Sequence, residues 1–294
     1  MTRPEKRGEA PRQPRQSRQA QRPGSPARGP KVPTETGPDR RPRRVEPPLP
    51  DDVTGHELDR AVRAELGSLA KLNADAVARH LVMAGRLLDD DPDAAYEHAR
   101  AAQSRAARVG ALREAAGLAA YATGRFAEAL AELRAARRIG GDDSLLPVMA
   151  DCERGLGRPE RALALAASPE VASLGAAARV EMLIVASGAR RDLGQHEAAV
   201  HTLRGPQLRP AARRPWSARL FYAYADALLG ADRAAEAVEW FGHAVDADAV
   251  GETDAAERLA GLQGISFVED EEDVEDVDDE PGDAQRDDAQ RSRK

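Results

Sequence analysis

Three observations predict an all-α fold built as a solenoid of helix hairpins. First, five ten-residue windows align on one alanine: DDPDAAYEHA (90–99), GRFAEALAEL (124–133), GRPERALALA (157–166), GQHEAAVHTL (194–203) and DRAAEAVEWF (232–241). The shared Ala95, Ala129, Ala162, Ala199 and Ala237 stand 34, 33, 37 and 38 residues apart, a period at which repeat proteins stack units that cannot bury their apolar face alone. Second, Ala- and Leu-rich stretches precede the windows, as in EAAGLAAYAT (114–123), VMADCERGL (148–156), LIVASGARRDL (183–193) and LFYAYADALL (220–229). Apolar residues recur in them at i, i+3, i+4 and i+7, one face of a helix. Third, Gly124, Gly157 and Gly194 separate stretch from window, and glycine takes the left-handed backbone conformation that ends a helix tightly. Asp232 and Asp90 stand at the equivalent places of the fifth and first units and must tolerate the same turn.

A leading helix is expected near His56–Leu69, in a segment spanning 51–75. The repeats follow over 76–264, in units starting near 76, 110, 143, 180 and 218, with a closing helix near Thr253–Leu262. Start signals agree with these placements. Asp91-Pro92 and Ser168-Pro169 read as N-caps with proline at the first helical position, and Pro147 is accommodated in a first turn capped by Ser144. The stretched spacings point to longer loops around Ser168–Ala178 and Gly205–Pro215.

The fixed alanine has a steric reason. Where the helices of a hairpin cross closely, a larger side chain would hold their backbones apart. Gly117, Ala150, Ser187 and Ala225 stand twelve residues upstream of the last four alanines, with Met83 breaking the pattern in the first unit. Phe126, Leu130, Leu133, Leu163, Leu203, Val238 and Phe241 are expected to fill the spaces between units, and Phe126 to be buried.

The ends of the chain differ in composition. Residues 1–50 hold 13 Lys/Arg against five acids, a net +8, with twelve prolines; too few apolar groups are present to offset the entropy of ordering, so a disordered basic arm is expected. Residues 269–294 carry 13 Asp/Glu against four bases, a net −9, within an acidic tail (265–294) expected to be disordered. Such an arm is attracted to phosphate-rich surfaces. Lys occurs only at 6, 31, 71 and 294, an Arg bias typical of GC-rich bacterial coding, which lowers the weight of any Arg cluster.

No secretory leader or membrane span is expected, because the longest uncharged apolar stretch, MLIVASGA (182–189), is far short of the roughly 18–20 residues needed. The lone Cys152 reads as a small packing residue, and the cytoplasm is the expected compartment. No catalytic, metal or cofactor constellation stands out. His196 and His201 are five apart and off a common helical face; His56, His80, His98 and His243 are scattered; Gly155-Leu-Gly157 is a helix end rather than a dinucleotide fingerprint. The chain is therefore expected to be no enzyme.

The residues G117…G124-R-F126-A-E-A129-L…L133…A136, together with Phe221, Ala225, Ala237, Phe241 and Ala244, resemble the tetratricopeptide repeat family over roughly 76–248. The resemblance implies a right-handed superhelical solenoid whose first helices line a concave, partner-binding groove. Carried over by position, its groove residues are Tyr121, Asp151, Arg154, Arg191, Arg219, Tyr222 and Asp226. Arginine grips carboxylates bidentately and tyrosine offers contact area at low entropic cost, so a protein or peptide partner of mixed, somewhat acidic character is expected. The positions with which some relatives clamp acidic C-terminal tails read His80, Glu114 and Ile184, which disfavours that use. The leading function is a protein-binding scaffold. Its rival is a nucleic-acid-associated factor of translation or transcription, in which residues 1–50 bind RNA or DNA while the repeats recruit protein.

Overall fold

The structure, a computed structural model, describes residues 46–264; the expected disorder of the basic arm and acidic tail, and nucleic-acid binding through the arm, lie outside the described residues except at 46–50. Twelve α-helices and no strand are found among the described residues: α1 (Arg60–Leu66), α2 (Lys71–Leu87), α3 (Pro92–Arg105), α4 (Gly110–Ala122), α5 (Phe126–Gly140), α6 (Leu146–Gly155), α7 (Pro159–Ala166), α8 (Ala176–Asp192), α9 (His196–Leu203), α10 (Ser217–Gly230), α11 (Ala234–Ala247) and α12 (Ala255–Gln263). From α2 to α11 they form five pairs, α2/α3 through α10/α11. Each pair packs on the next, and first helices also touch directly, α2 on α4, α6 on α8 and α8 on α10. None of these helices is long and apolar enough to cross a membrane.

The five aligned alanines are all 0% exposed. Their upstream partners are equally enclosed: Ala150 and Ala225 are inaccessible and Ser187 is buried. A methyl group added at Gly117 would lie 2.7 Å from the Leu133 side chain and 3.2 Å from its backbone nitrogen, so only glycine lets α4 approach α5 this closely. At Ser187 the hydroxyl donates to the Ala199 carbonyl at 3.1 Å, which satisfies the one polar group placed in such a contact.

Four of the five hairpins turn identically. Gly124, Gly157 and Gly194 have φ near +70°, and Asp232, at +59°, is the one non-glycine residue with positive φ among the described residues. Around Gly124 the Arg125 amide donates to the Ala120 carbonyl (2.8 Å) and the Gly124 amide to that of Tyr121 (2.9 Å). The same two bonds recur at Gly157, Gly194 and Asp232. This paired arrangement satisfies carbonyls that a helix end otherwise leaves open. Asp90 departs from the expectation: no positive φ occurs there, and the hairpin is fixed instead by Asp91, whose side chain accepts from the Ala94 amide at 3.0 Å.

Other boundaries move for local reasons. α1 is shorter than expected, and α2 begins at Lys71 rather than near 76. Ser168 does not cap a helix; Pro169–Ser173 is a short 3-10 turn. Pro147 is accommodated as foreseen, but the cap is Asp142, which accepts from the Ser144 amide at 2.8 Å and opens a 3-10 turn running into α6. The stretched spacings arise from the long connections 167–175 and 204–216, while α7 and α9 have only 8 residues each. Residues 46–50, assigned above to the arm, lie against α2 and α3: Arg105 bonds Glu46 at 2.5 Å and Arg79 the Pro50 carbonyl at 2.7 Å.

Leu130, Leu133, Leu203 and Phe241 are buried as the pattern requires, whereas Phe126, Leu163 and Val238 are only partly so. Phe126 opens α5 just past the hairpin turn, with its ring over Gly155 and 6.0 Å from that of Tyr121, and is half-buried. The packing predicts that Ala129→Leu costs about 1–3 kcal/mol by overfilling the crossing. Ala127→Leu, on the exposed side of the same helix, should stay within about 0.5 kcal/mol. Urea midpoints at unchanged slope measure both; equal shifts would contradict the packing.

Candidate functional site

All seven groove residues taken from the sequence lie on first helices, where the structure ties them into four separate sets of polar contacts along that face. Tyr121 on α4 donates to Asp151 on α6 at 2.5 Å. Asp151 also accepts from Arg154 at 2.7 Å, and Arg154 reaches on to α8, donating to both oxygens of Asp192 at 2.8 and 3.3 Å. Arg191, next to Asp192 in α8, bonds Asp226 on α10, which accepts in turn from Arg258 on α12 at 2.9 Å. Arg219 on α10 reaches back to Glu181 on α8 at 2.7 Å. Tyr222 stands beside Asp254 at the start of α12; burial and that carboxylate push its hydroxyl pKa up to about 12. Burial and the bond to Asp151 likewise hold the Tyr121 hydroxyl protonated.

Local packing sets these positions. Gly188 has no side chain, and a methyl group there would lie 2.5 Å from the Arg154 Cζ. The guanidinium therefore rests on the backbone of α8, where burial opposes its charge but Asp192 and Asp151 more than offset the cost, raising its pKa. Phe241 carries Tyr222 edge-on at a ring distance of 5.5 Å.

Two adjoining clefts of about 530 Å³ each open among these residues. One is lined by Phe126, Asp151, Arg154, Glu160 and Asp192 among others. The second shares Arg154 and is walled by Arg191, Arg219, Tyr222, Asp226, Glu252 and Asp254 over Ile184, Gly188 and Ala223.

Sequence reasoning missed the acidic partners Asp192 and Glu181, the rim residues Glu160, Glu252 and Asp254, and Arg258. One signal could have found the paired ones. The cross-helix partners lie 30 to 38 residues apart, so a carboxylate one repeat period from each arginine marks its neighbour on the next first helix.

Elsewhere the structure joins two histidines that looked scattered. His80 and His98 meet with Nδ1 atoms 3.0 Å apart in the buried contact of α2 and α3. Burial lowers both pKa values; at His80 the charges of His98, Arg105 and Arg79 add to the effect and Glu46 opposes it. Cys152 is fully buried, and burial beside Asp151 and Glu153 pushes its thiol up to about 12, so it carries no thiolate near neutrality. Among the described residues no group of three or more His, Cys, Asp and Glu could hold a metal ion.

Compared with protein-family models and with curated proteins, the chain matches none.

Two outcomes follow. A double-mutant cycle on Arg154→Met and Asp192→Asn should give a coupling of about 1 kcal/mol, shrinking in high salt; zero coupling would mean that the pair contributes geometry alone. For the histidines, the unfolded chain takes up protons below about pH 6.5 while the folded pair resists them. The unfolded state then binds more protons, so stability is flat above that pH and falls below it. Glu114 and Glu181, raised above the usual carboxylate range chiefly by burial, pull the other way at lower pH. The urea midpoint should drop between about pH 7.5 and about pH 5.5, and drop less in His98→Gln; identical drops would remove the pair as the cause.

Proposed function

We propose that this chain is a non-catalytic protein-interaction scaffold, a right-handed tetratricopeptide-like solenoid that takes a partner segment along its first helices and works in the cytoplasm. The reading is carried by one observation: Asp151, Arg154, Arg191, Arg219, Tyr222 and Asp226, from three successive first helices, line two open clefts that share Arg154, and Tyr121 on the preceding first helix bonds Asp151. Pockets with a few placed polar groups over small and apolar residues suit ligand docking. Backbone can approach closely where the wall is Ala223, and tyrosine and arginine are the side chains over-represented at energetic centres of interfaces. A thiol held un-ionised gives the site no nucleophile at Cys152.

Selection of a random peptide library on the full chain tests the reading. Enriched peptides are expected to lose about tenfold or more in affinity on Tyr222→Ala. Peptides that bind Tyr222→Ala and Arg154→Ala as tightly as the parent would place binding elsewhere and contradict it.

A further inference from the structure

The arginines expected to grip an acidic ligand are already engaged. Arg154 makes three charge-assisted bonds to Asp151 and Asp192, Arg191 bonds Asp226, and Arg219 bonds Glu181. An acidic peptide would have to exchange each of these for a bond of the same kind, which returns little net affinity. What remains uncompensated is negative. Asp151, Glu160, Asp192, Asp226, Glu252 and Asp254 line the two clefts against Arg154, Arg191 and Arg219, six carboxylates to three guanidiniums. Adding the outer partners Glu181 and Arg258 leaves the surplus at three. Glu160 and Glu252 are exposed and stand in no ion pair among the described residues. They lie in different clefts, either side of Arg154, so the surplus is spread along the face.

From this charge complementarity we infer that the occupant is a cationic peptide segment, an extended stretch of a partner protein carrying several Arg or Lys residues, rather than an acidic one. The inference rests on the reading of this face as a docking surface. Lys and Arg heads meet Glu160 in the first cleft and Glu252 and Asp254 in the second, while their aliphatic stems cross Ile184, Ala223 and the Tyr222 ring. Cation attraction to the tyrosine face adds to the charge term. The internal pairs stay intact during binding, and the face is held rigid before the ligand arrives, which reduces the ordering cost.

The test uses the full chain and two fluorescent peptides, one of alternating Arg and Ala and one of alternating Glu and Ala, read by anisotropy at fixed salt. The parent is compared with Glu160→Gln/Glu252→Gln/Asp254→Asn, three exposed and nearly isosteric changes whose melting curve serves as the folding control. The substitutions leave the acidic tail (265–294) unchanged, so the ratio of affinities reports the face. The inference expects the Arg/Ala peptide to bind the variant about tenfold more weakly, and the Glu/Ala peptide to bind neither chain more tightly than it. Unchanged affinity of the basic peptide overturns the inference. Tighter binding of the acidic peptide that is lost in Arg219→Ala also overturns it but leaves the scaffold reading standing. Library-selected peptides that ignore Tyr222 bring down the scaffold reading as well.

Discussion

An alanine methyl at a helix crossing lets two backbones come closer than leucine would permit, and the rest of this structure depends on that approach being repeated. The same inaccessible alanine recurs five times. In the last four pairs it faces glycine, alanine or a serine whose hydroxyl is satisfied by the facing carbonyl. Each second helix thus docks on its first through the same enclosed methyl group. Larger residues one turn on, Leu133, Leu203 and Phe241, are fully enclosed beside it. Interiors packed to crystal-like density tolerate little change in such spacing, and the extra residues of the stretched units fall outside the crossings, in the connections at 167–175 and 204–216.

Repetition of spacing also brings charges together. A side chain on one first helix meets, on the next, a residue about one period away, so Tyr121, Arg154, Arg191 and Arg219 each find an acid 30 to 38 positions distant. A second set forms between hairpins: Arg125 reaches Asp93 at 3.1 Å while lying 4.3 Å over the Tyr96 ring, and Tyr96 donates to Glu128 at 2.8 Å. Singly, partly exposed pairs of this kind contribute roughly 0–1 kcal/mol. Their larger effect is to fix side-chain direction, so the face is preorganised and its remaining charge is negative.

The helix pairs were legible in the sequence because the features that define them are local or strictly periodic. A glycine at the turn, an alanine in a fixed place and an apolar face at helical spacing survive without knowledge of what they pack against, and Asp232 was readable as a glycine substitute for that reason. Failures came where a competing local turn or a contact with another helix decides. Ser168-Pro169 carries a capping signal, but the chain spends it on a short 3-10 turn between two helices. Asp142, not Ser144, caps the turn before Pro147, since the carboxylate reaches the Ser144 amide. Phe126 fits the pattern of a buried ring, yet it lies over Gly155 and stays half-buried. Placing the seven groove residues on first helices needed only the repeat period. Their mutual pairing did not follow, because it depends on which way each long side chain turns. The His80–His98 contact was invisible for a similar reason, the two residues being 18 apart on facing helices.

The alanine crossings can be observed one methyl at a time. In NMR spectra of full-length protein with labelled alanine methyls, an inert gadolinium chelate in the solvent relaxes only groups it can approach. Ala95, Ala129, Ala162, Ala199 and Ala237 should be unaffected, while Ala127, Ala164 and Ala235, exposed on the same second helices, should broaden strongly. Broadening of the aligned alanines to the level of Ala127 would contradict the account.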